Sequence, residues 1–173
     1  LMDLENNNIL FISGEVLNNI TTFSIPEGIT NFNVNINRYT NITKIIIPQS
    51  LKTIYSANVF PTSISSIEIT DGNTNFIVEN GCLYNVNKTE LIMSFTKEKE
   101  VTFAEELTTI NTWAFKQAPN LENIVFDGNI TTIGNVVLNA LNSKIQSVYI
   151  GAGVTNIYPT FKYGNNYGTV TVN

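Results

Sequence analysis

The chain has 173 residues, of which 43% are hydrophobic and only 13% are charged, and its net charge is −5. This hydrophobic fraction excludes an intrinsically disordered protein, and the length suits one domain with a sizeable core. The nine Lys and Arg residues are scattered, so the chain lacks the basic stripe that binds nucleic acid and the polybasic patch that binds anionic lipid.

Cysteine content and hydrophobic runs say little about compartment. Cys82 is the single cysteine, so an internal disulfide cannot form. No apolar run approaches the roughly 20 residues of a membrane span, and we expect no membrane insertion in this chain. The opening Leu1-Met2-Asp3 is not a signal peptide, and a chain that opens on leucine is expected to be part of a longer protein.

Pairs of apolar residues with a spacing of two recur along the chain, as is typical of strands with one buried face. In chain order the pairs are Phe23/Ile25, Ile45/Ile47, Ile67/Ile69, Val101/Phe103, Ile124/Phe126, Val148/Ile150 and Val170/Val172. Successive pairs are 22, 22, 34, 23, 24 and 22 residues apart. One such unit cannot bury its apolar edge alone, so the repeat predicts a solenoid whose stacked units form a parallel sheet of about seven strands.

The segments that return the chain from one strand to the next also carry apolar residues. The clearest are residues 57–60, 113–115 and 136–138, which lie ten to thirteen residues past the second residue of an apolar pair. We interpret them as short helical turns on the convex side, which makes the predicted fold an α/β repeat solenoid of the leucine-rich-repeat kind. Two positions break the repeat, Glu98 in place of a leading Ile and Asn73 in place of a Leu, and both flank the 34-residue step.

The 34-residue step is long enough to hold an extra structural element. Two apolar runs flank an Asn- and Lys-rich turn within it, which predicts a β-hairpin inserted near residues 77–95. We therefore divide the chain into an N-terminal flank or partial repeat, residues 1–19, and a solenoid, residues 20–173.

Short motifs within the units follow one recurring order. They are Ile45-Ile46-Ile47-Pro48, Trp113-Ala114-Phe115, Ile133-Gly134 and, in the long step, Asn73-Thr74-Asn75-Phe76, Gly81-Cys82-Leu83-Tyr84 and Leu91-Ile92. This order resembles the BspA-like leucine-rich repeats over roughly residues 20–157, although the Cys expected after Ala-Phe is absent. The resemblance implies a surface or secreted protein that adheres to host proteins or to other cells.

Residues capable of catalysis are few. The chain contains no histidine, which removes the commonest general base and metal ligand. We interpret Cys82 as a small apolar filler and the two Asp-Gly-Asn turns, residues 71–73 and 127–129, as plain turns and not calcium sites. Carboxylate pairs of the kind that hydrolyse glycosides are interpreted as solvated charges; these are Glu105-Glu106, Glu98/Glu100 and Glu68 with Glu122. We predict no enzymatic activity, no cofactor and no metal site.

The predicted concave sheet is the surface through which a solenoid usually binds. Residues between the buried pairs, and those in the preceding row, point outward from it. The candidate ligand-binding residues are Lys44, Ile46, Glu68, Thr102, Asn123, Val125 and Tyr149. Tyr149 ranks first because aromatic side chains tend to anchor interfaces. The alternative is a solvated sheet without a ligand.

These observations favour a non-enzymatic binding module located outside the cell or on its surface. Its expected ligand is a protein or glycan, including one from the extracellular surface of a host, bound through the concave sheet. The alternative is a structural spacer that displays another domain of a larger surface protein. The oligomeric state stays open.

Overall fold

The structure, a computed structural model, describes residues 2–3, 8–9, 14–135, 137, 144–158 and 169–172. In chain order the elements are β1 (Met2–Asp3), β2 (Asn8–Ile9), α1 (Gly14–Asn18), β3 (Thr22–Ser24), β4 (Asn31–Phe32), β5 (Lys44–Ile47), β6 (Thr53–Ile54), a 3-10 helix (Ala57–Val59), β7 (Ser66–Ile69), β8 (Phe76–Glu79), β9 (Cys82–Asn85), β10 (Glu90–Ser94), β11 (Thr109–Ile110), β12 (Asn123–Phe126), β13 (Thr132–Ile133), β14 (Ser147–Ile150), β15 (Asn156–Ile157) and β16 (Thr169–Val172).

The apolar pairs stack in parallel register, as the repeat predicts. Phe23 of β3 lies beside Ile45 of β5, which lies beside Ile67 of β7. Ile124 of β12 and Val148 of β14 are paired in the same way, and β14 pairs with β16. A shift of one residue would turn the buried face of a strand to solvent, so the hydrophobic pattern specifies this register.

The structure corrects the expected single sheet of about seven strands. The strands that carry the apolar pairs form two three-stranded sheets, β3-β5-β7 and β12-β14-β16, which we call together the concave face; the other described strands form a six-stranded sheet, β15-β13-β11-β10-β9-β8, and the two-stranded sheets β1-β2 and β4-β6. The segment between them, which carries Val101 and Phe103, is not a strand and keeps only an isolated bridge from Glu100 to Asn123. The exposed Glu98 occupies the position of a buried leading Ile. Burial of a carboxylate is unfavourable, so this unit does not form a strand in the stack.

The inserted segment is larger than the expected hairpin. Strand β9 pairs antiparallel with both β8 and β10, and β10 is parallel to β11 of the next unit. The β8–β9 turn uses Asn80 and Gly81, both with positive φ, which is the two-residue hairpin geometry that Asn-Gly adopts readily. The predicted Asn- and Lys-rich turn joins β9 to β10.

The insertion lies in the interior and divides the core. Leu83 and Met93 belong to a hydrophobic cluster built mainly from the units before the insertion. Cys82, Tyr84 and Leu91 belong to a second cluster built mainly from the units that follow. Neighbouring residues of β9 and β10 therefore face opposite clusters, as expected for strands covered on both sides. The core is continuous within each half of the solenoid and is interrupted at β9 and β10.

Helix is scarce in the described residues, and the α/β class is not confirmed. The return at Ala57–Val59 forms a single turn of 3-10 helix, which ends because Phe60 precedes a proline and is extended. At Trp113 a φ of 65° takes the chain out of the right-handed helical region, and turns replace the expected helix. Of the third predicted return, residues 136 and 138 lie outside the described residues. The described chain is a β-solenoid, and it contains no helix long and apolar enough to cross a membrane.

A buried polar clamp joins the units on either side of the insertion. Gln117 is fully buried, and its Nε2 donates to the carbonyl oxygens of Ala57 (2.9 Å) and Phe60 (3.0 Å). Lys97 Nζ donates to the carbonyl oxygen of Ile64 (2.7 Å), and desolvation lowers the pKa of this lysine. The unit after the insertion is thus hydrogen-bonded to the unit before it, across nearly 60 residues of chain.

Candidate functional site

The structure places the seven predicted binding residues in three groups. Lys44, Ile46 and Glu68 lie on β5 and β7 of the first concave sheet, with Ile46 and Glu68 directly opposite each other. A second group lies on β12 and β14 of the other concave sheet and consists of Asn123, Val125 and Tyr149. Thr102 is exposed on the non-strand segment between the sheets. The prediction of one continuous row is therefore only partly realised.

Charged side chains on the concave face are partnered. Lys44 Nζ lies 2.6 Å from Glu68 Oε2, and the two residues are diagonal neighbours on adjacent strands. Beside this face, Lys99 of the non-strand segment forms a similar pair with Glu122, the residue before β12, at 3.0 Å. Solvent-exposed pairs of this kind contribute little to stability. Because each pair joins a positive and a negative charge, in the described residues the concave face has no strong electrostatic potential of one sign.

Asn123 belongs to a polar row at the start of the second concave sheet. Its Nδ2 donates to Glu100 Oε1 at 3.3 Å, and its Oδ1 accepts from Ser147 Oγ at 2.7 Å. These two hydrogen bonds connect the non-strand segment to β12, and β12 to β14. A ligand at Asn123 would meet an amide whose orientation is set by its neighbours.

Apolar groups interrupt the polar face at three places. Val125 is 53% exposed, whereas Ile46 and Tyr149 are half-buried. Val125 and Tyr149 are directly opposite each other on β12 and β14. An exposed aliphatic residue next to an aromatic one is a small apolar anchor within a polar surround, the arrangement found at the centres of protein interfaces.

A cleft lies at the break between the two concave sheets. Its volume is about 510 Å³, and it is lined by Ser65, Asn80, Gly81, Phe95, Thr96, Lys97, Glu98, Glu100 and Thr102. Among the inward-facing pairs with described side chains, only Ile69, Val101 and Phe103 are partly exposed, and all three flank this break. Of the predicted binding residues Thr102 alone lines the cleft. The sequence signals that could have located it are the 34-residue step and Glu98.

The described residues contain no arrangement suited to metal binding, since no group of three or more Cys, Asp or Glu side chains comes together. The two Asp-Gly-Asn sequences form turns. In the first, Asn73 Oδ1 accepts from Asn75 N–H at 2.8 Å, which is the local bond by which an Asn side chain stabilises a turn, and its Nδ2 donates to the carbonyl oxygens of Pro48 and Leu51 in the preceding unit. The absence of metal chemistry stays a prediction for the whole chain.

Cys82 lies in the second core cluster and is fully buried. Desolvation raises the pKa of its thiol above the ordinary value, which opposes formation of the reactive thiolate. We expect the native protein to react with a water-soluble aromatic disulfide reagent at least about a hundredfold more slowly than the urea-unfolded chain. Equal rates in the two states would contradict the burial of Cys82.

The sequence matches a known repeat family over most of its length. The profile of the BspA type leucine rich repeat region matches in six copies, over residues 14–90 and 78–168. The chain belongs to the BspA-type leucine-rich repeat family. No curated protein matches the sequence. Repeat families of this kind are in general non-catalytic, and the absence of catalysis in this BspA-type chain stays a prediction.

Two solved structures share the fold. A leucine-rich repeat protein from Eubacterium ventriosum ATCC 27560 is 18% identical, with a TM-score of 0.56 over 79% of this chain and 54% of that one. The pneumococcal vaccine antigen PcpA is 16% identical, with a TM-score of 0.58 over 80% of this chain and 47% of that one. At such identities the likeness concerns the fold alone. This BspA-type chain spans about half the length of each solved structure.

Proposed function

We propose that this chain is a non-enzymatic binding module of a surface or secreted protein, and that it adheres to a host protein or glycan through the concave face. The BspA-type repeat and the similarity to a pneumococcal vaccine antigen support a location at the cell surface. The proposal depends chiefly on one observation, the exposed Val125 beside Tyr149 in the middle of an otherwise small and polar sheet.

The surface around this anchor suits a macromolecular ligand. Strands β12 and β14 hold Val125 and Tyr149 on a rigid scaffold, so little conformational entropy is lost when a ligand covers them. Asn123 and Ser147 add hydrogen-bonding groups at the start of the same two strands. The cleft beside Thr102 adds a concave feature between the two sheets. Apolar contact at the centre with polar groups around it is the usual composition of a binding surface.

The test is capture of defined ligands by the immobilised chain, using a panel of purified extracellular-matrix proteins and a glycan array. For any probe that binds, Tyr149→Ala is expected to weaken the affinity about tenfold, the effect of removing a central aromatic anchor. Glu68→Lys is expected to weaken binding as well, because it places a second positive charge beside Lys44. Biolayer interferometry measures both changes.

The matched control is Tyr158→Ala. Tyr158 is 56% exposed, but it follows β15 and lies outside the concave face. Its replacement is expected to leave binding unchanged. Wild-type affinity in both Tyr149→Ala and Glu68→Lys would contradict a concave binding face. If no probe binds at all, the remaining function is that of a spacer that displays another part of a longer surface protein.

A further inference from the structure

The insertion also breaks the stack on the edge of the solenoid away from the concave face. Along this edge of the described chain, a backbone N–H of one unit donates to a carbonyl of the preceding unit at several steps. Tyr55 N–H donates to Phe32 (2.9 Å), Asn111 N–H to Leu91 (2.9 Å), and Tyr158 N–H to Ile133 (3.0 Å). The equivalent carbonyl of the second unit belongs to Ile54. Strand β6 is the outer strand of its sheet, and within the described residues the Ile54 carbonyl accepts no hydrogen bond.

A cavity of about 290 Å³ lies beside Ile54 on this edge. Its lining residues are Ile54, Tyr55, Ser56, Ala57, Ile92, Asn111 and Thr112. Ile92 lies at a β-bulge where the β9–β10 register shifts between Leu91 and Met93. Bulges are frequent next to binding sites because they redirect the chain there. The two sides of the cavity come from units about 57 positions apart in sequence, Tyr55 on one side and Thr112 on the other.

The lining residues combine an aromatic surface with uncharged hydrogen-bonding groups. Tyr55 is 82% exposed, so its ring is largely open to a ligand. Asn111 and Thr112 carry an amide and a hydroxyl, and Ile54, whose backbone carbonyl is unpaired within the described residues, also lines the cavity. No Lys, Arg, Asp or Glu lines the cavity. A ligand that matches this set is neutral, carries several hydroxyl groups and presents an apolar face to an aromatic ring.

We infer that this cavity is a saccharide site that takes one neutral pyranose unit. The ring of Tyr55 covers the C–H face of the sugar, Asn111 and Thr112 bind its hydroxyls, and the Ile54 carbonyl accepts a hydrogen bond from one of them. The sugar replaces the hydrogen bond that the stack lacks at this unit. The site belongs to different strands from those of the concave face, so it stands or falls independently of the function proposed above.

The chain carries its own reporter for this site. Trp113 is the single tryptophan. It follows Thr112 in sequence and packs against the core cluster that contains Ala57 and Ile92. The test titrates the whole chain with methyl β-glucopyranoside, methyl β-galactopyranoside, methyl α-mannopyranoside and N-acetylglucosamine. Tryptophan fluorescence and saturation-transfer NMR on each sugar are recorded, and the second measurement does not depend on the reporter.

At least one of these sugars is expected to bind saturably. Tyr55→Ala then weakens it about tenfold, and Tyr55→Phe, which keeps the ring, retains most of the affinity. Tyr158→Ala is the matched control, since Tyr158 is an exposed tyrosine at the corresponding repeat position that does not line the cavity, and it binds like wild type. The inference is overturned if no sugar gives a saturable signal by either measurement. It is equally overturned if Tyr55→Ala binds with unchanged affinity, because the sugar then lies elsewhere.

Discussion

Replacing Gly134 by alanine is expected to lower the free energy of unfolding by about 3 kcal/mol, at the upper end of the usual cost of overpacking. A Cβ at this position would lie 2.7 Å from the carbonyl oxygen of Ile110, 2.9 Å from the amide nitrogen of Thr112 and 3.0 Å from the carbonyl carbon of Asn111. All three are backbone atoms of the neighbouring unit, so no side-chain rotation relieves the contact. Gly134 N–H also donates to the Ile110 carbonyl at 2.8 Å, and a shift of the chain would weaken this bond.

Thermal unfolding followed by circular dichroism measures the effect, which corresponds to a fall in Tm of roughly 6–12 °C for a chain of this size. Gly128→Ala is the comparison. Gly128 has a φ of +69° but nothing lies within 4 Å of its added Cβ, so only the conformational strain of about 1 kcal/mol is expected. Equal losses in the two variants would show that close approach of the units at Gly134 is not the cause.

Gln117→Met is expected to lower the free energy of unfolding by about 2 kcal/mol. The substitution keeps the length of the side chain but removes the amide that donates to the carbonyls of Ala57 and Phe60. The Ala57 carbonyl still accepts from Phe60 N–H, whereas the Phe60 carbonyl is left buried and unpaired. Gln117 Oε1 has no hydrogen-bond partner among the described residues, so its removal offsets part of the loss.

Urea unfolding measures this change, with Gln146→Met as the control. Gln146 is exposed, and its Nε2 donates to Glu122 Oε2 at 3.2 Å on the surface of the solenoid. Water replaces that bond freely, so its removal is expected to change the stability by less than about 0.5 kcal/mol. A loss at Gln117 no larger than that at Gln146 would mean that the clamp between the two units contributes nothing to stability.

The repeat and its register could be read from sequence because they depend on local periodicity. A pair of apolar residues such as Ile45 and Ile47 can bury both side chains only if the strand faces the core. The same spacing in the next unit places Ile67 beside Ile45. The family match confirms the BspA-type assignment. The long step gave the position of the insertion, and the antiparallel strands β8, β9 and β10 lie there. The concave position of Val125 and Tyr149 follows from the same alternation.

The structure around the insertion depends on packing between units that are far apart in sequence. Local sequence patterns do not specify such packing. Strands β9 and β10 lie between the two core clusters, because their successive residues Cys82, Leu83 and Tyr84 are apolar on both faces of the sheet and need cover on both sides. The Val101 segment is not a strand, and a cleft on the concave face and a cavity at Tyr55 lie beside the insertion.

The sequence by itself therefore determined the β-solenoid register, the outward row and the place where the repeat is interrupted, since each depends on spacing along the chain. Only the tertiary structure decided that the concave face is two sheets, that Gln117 joins units across the insertion, and that Tyr55 borders a cavity. The physical reason is that these features arise from which unit packs against which on either side of the 34-residue step. That choice is made by burial and hydrogen bonding between residues far apart in sequence.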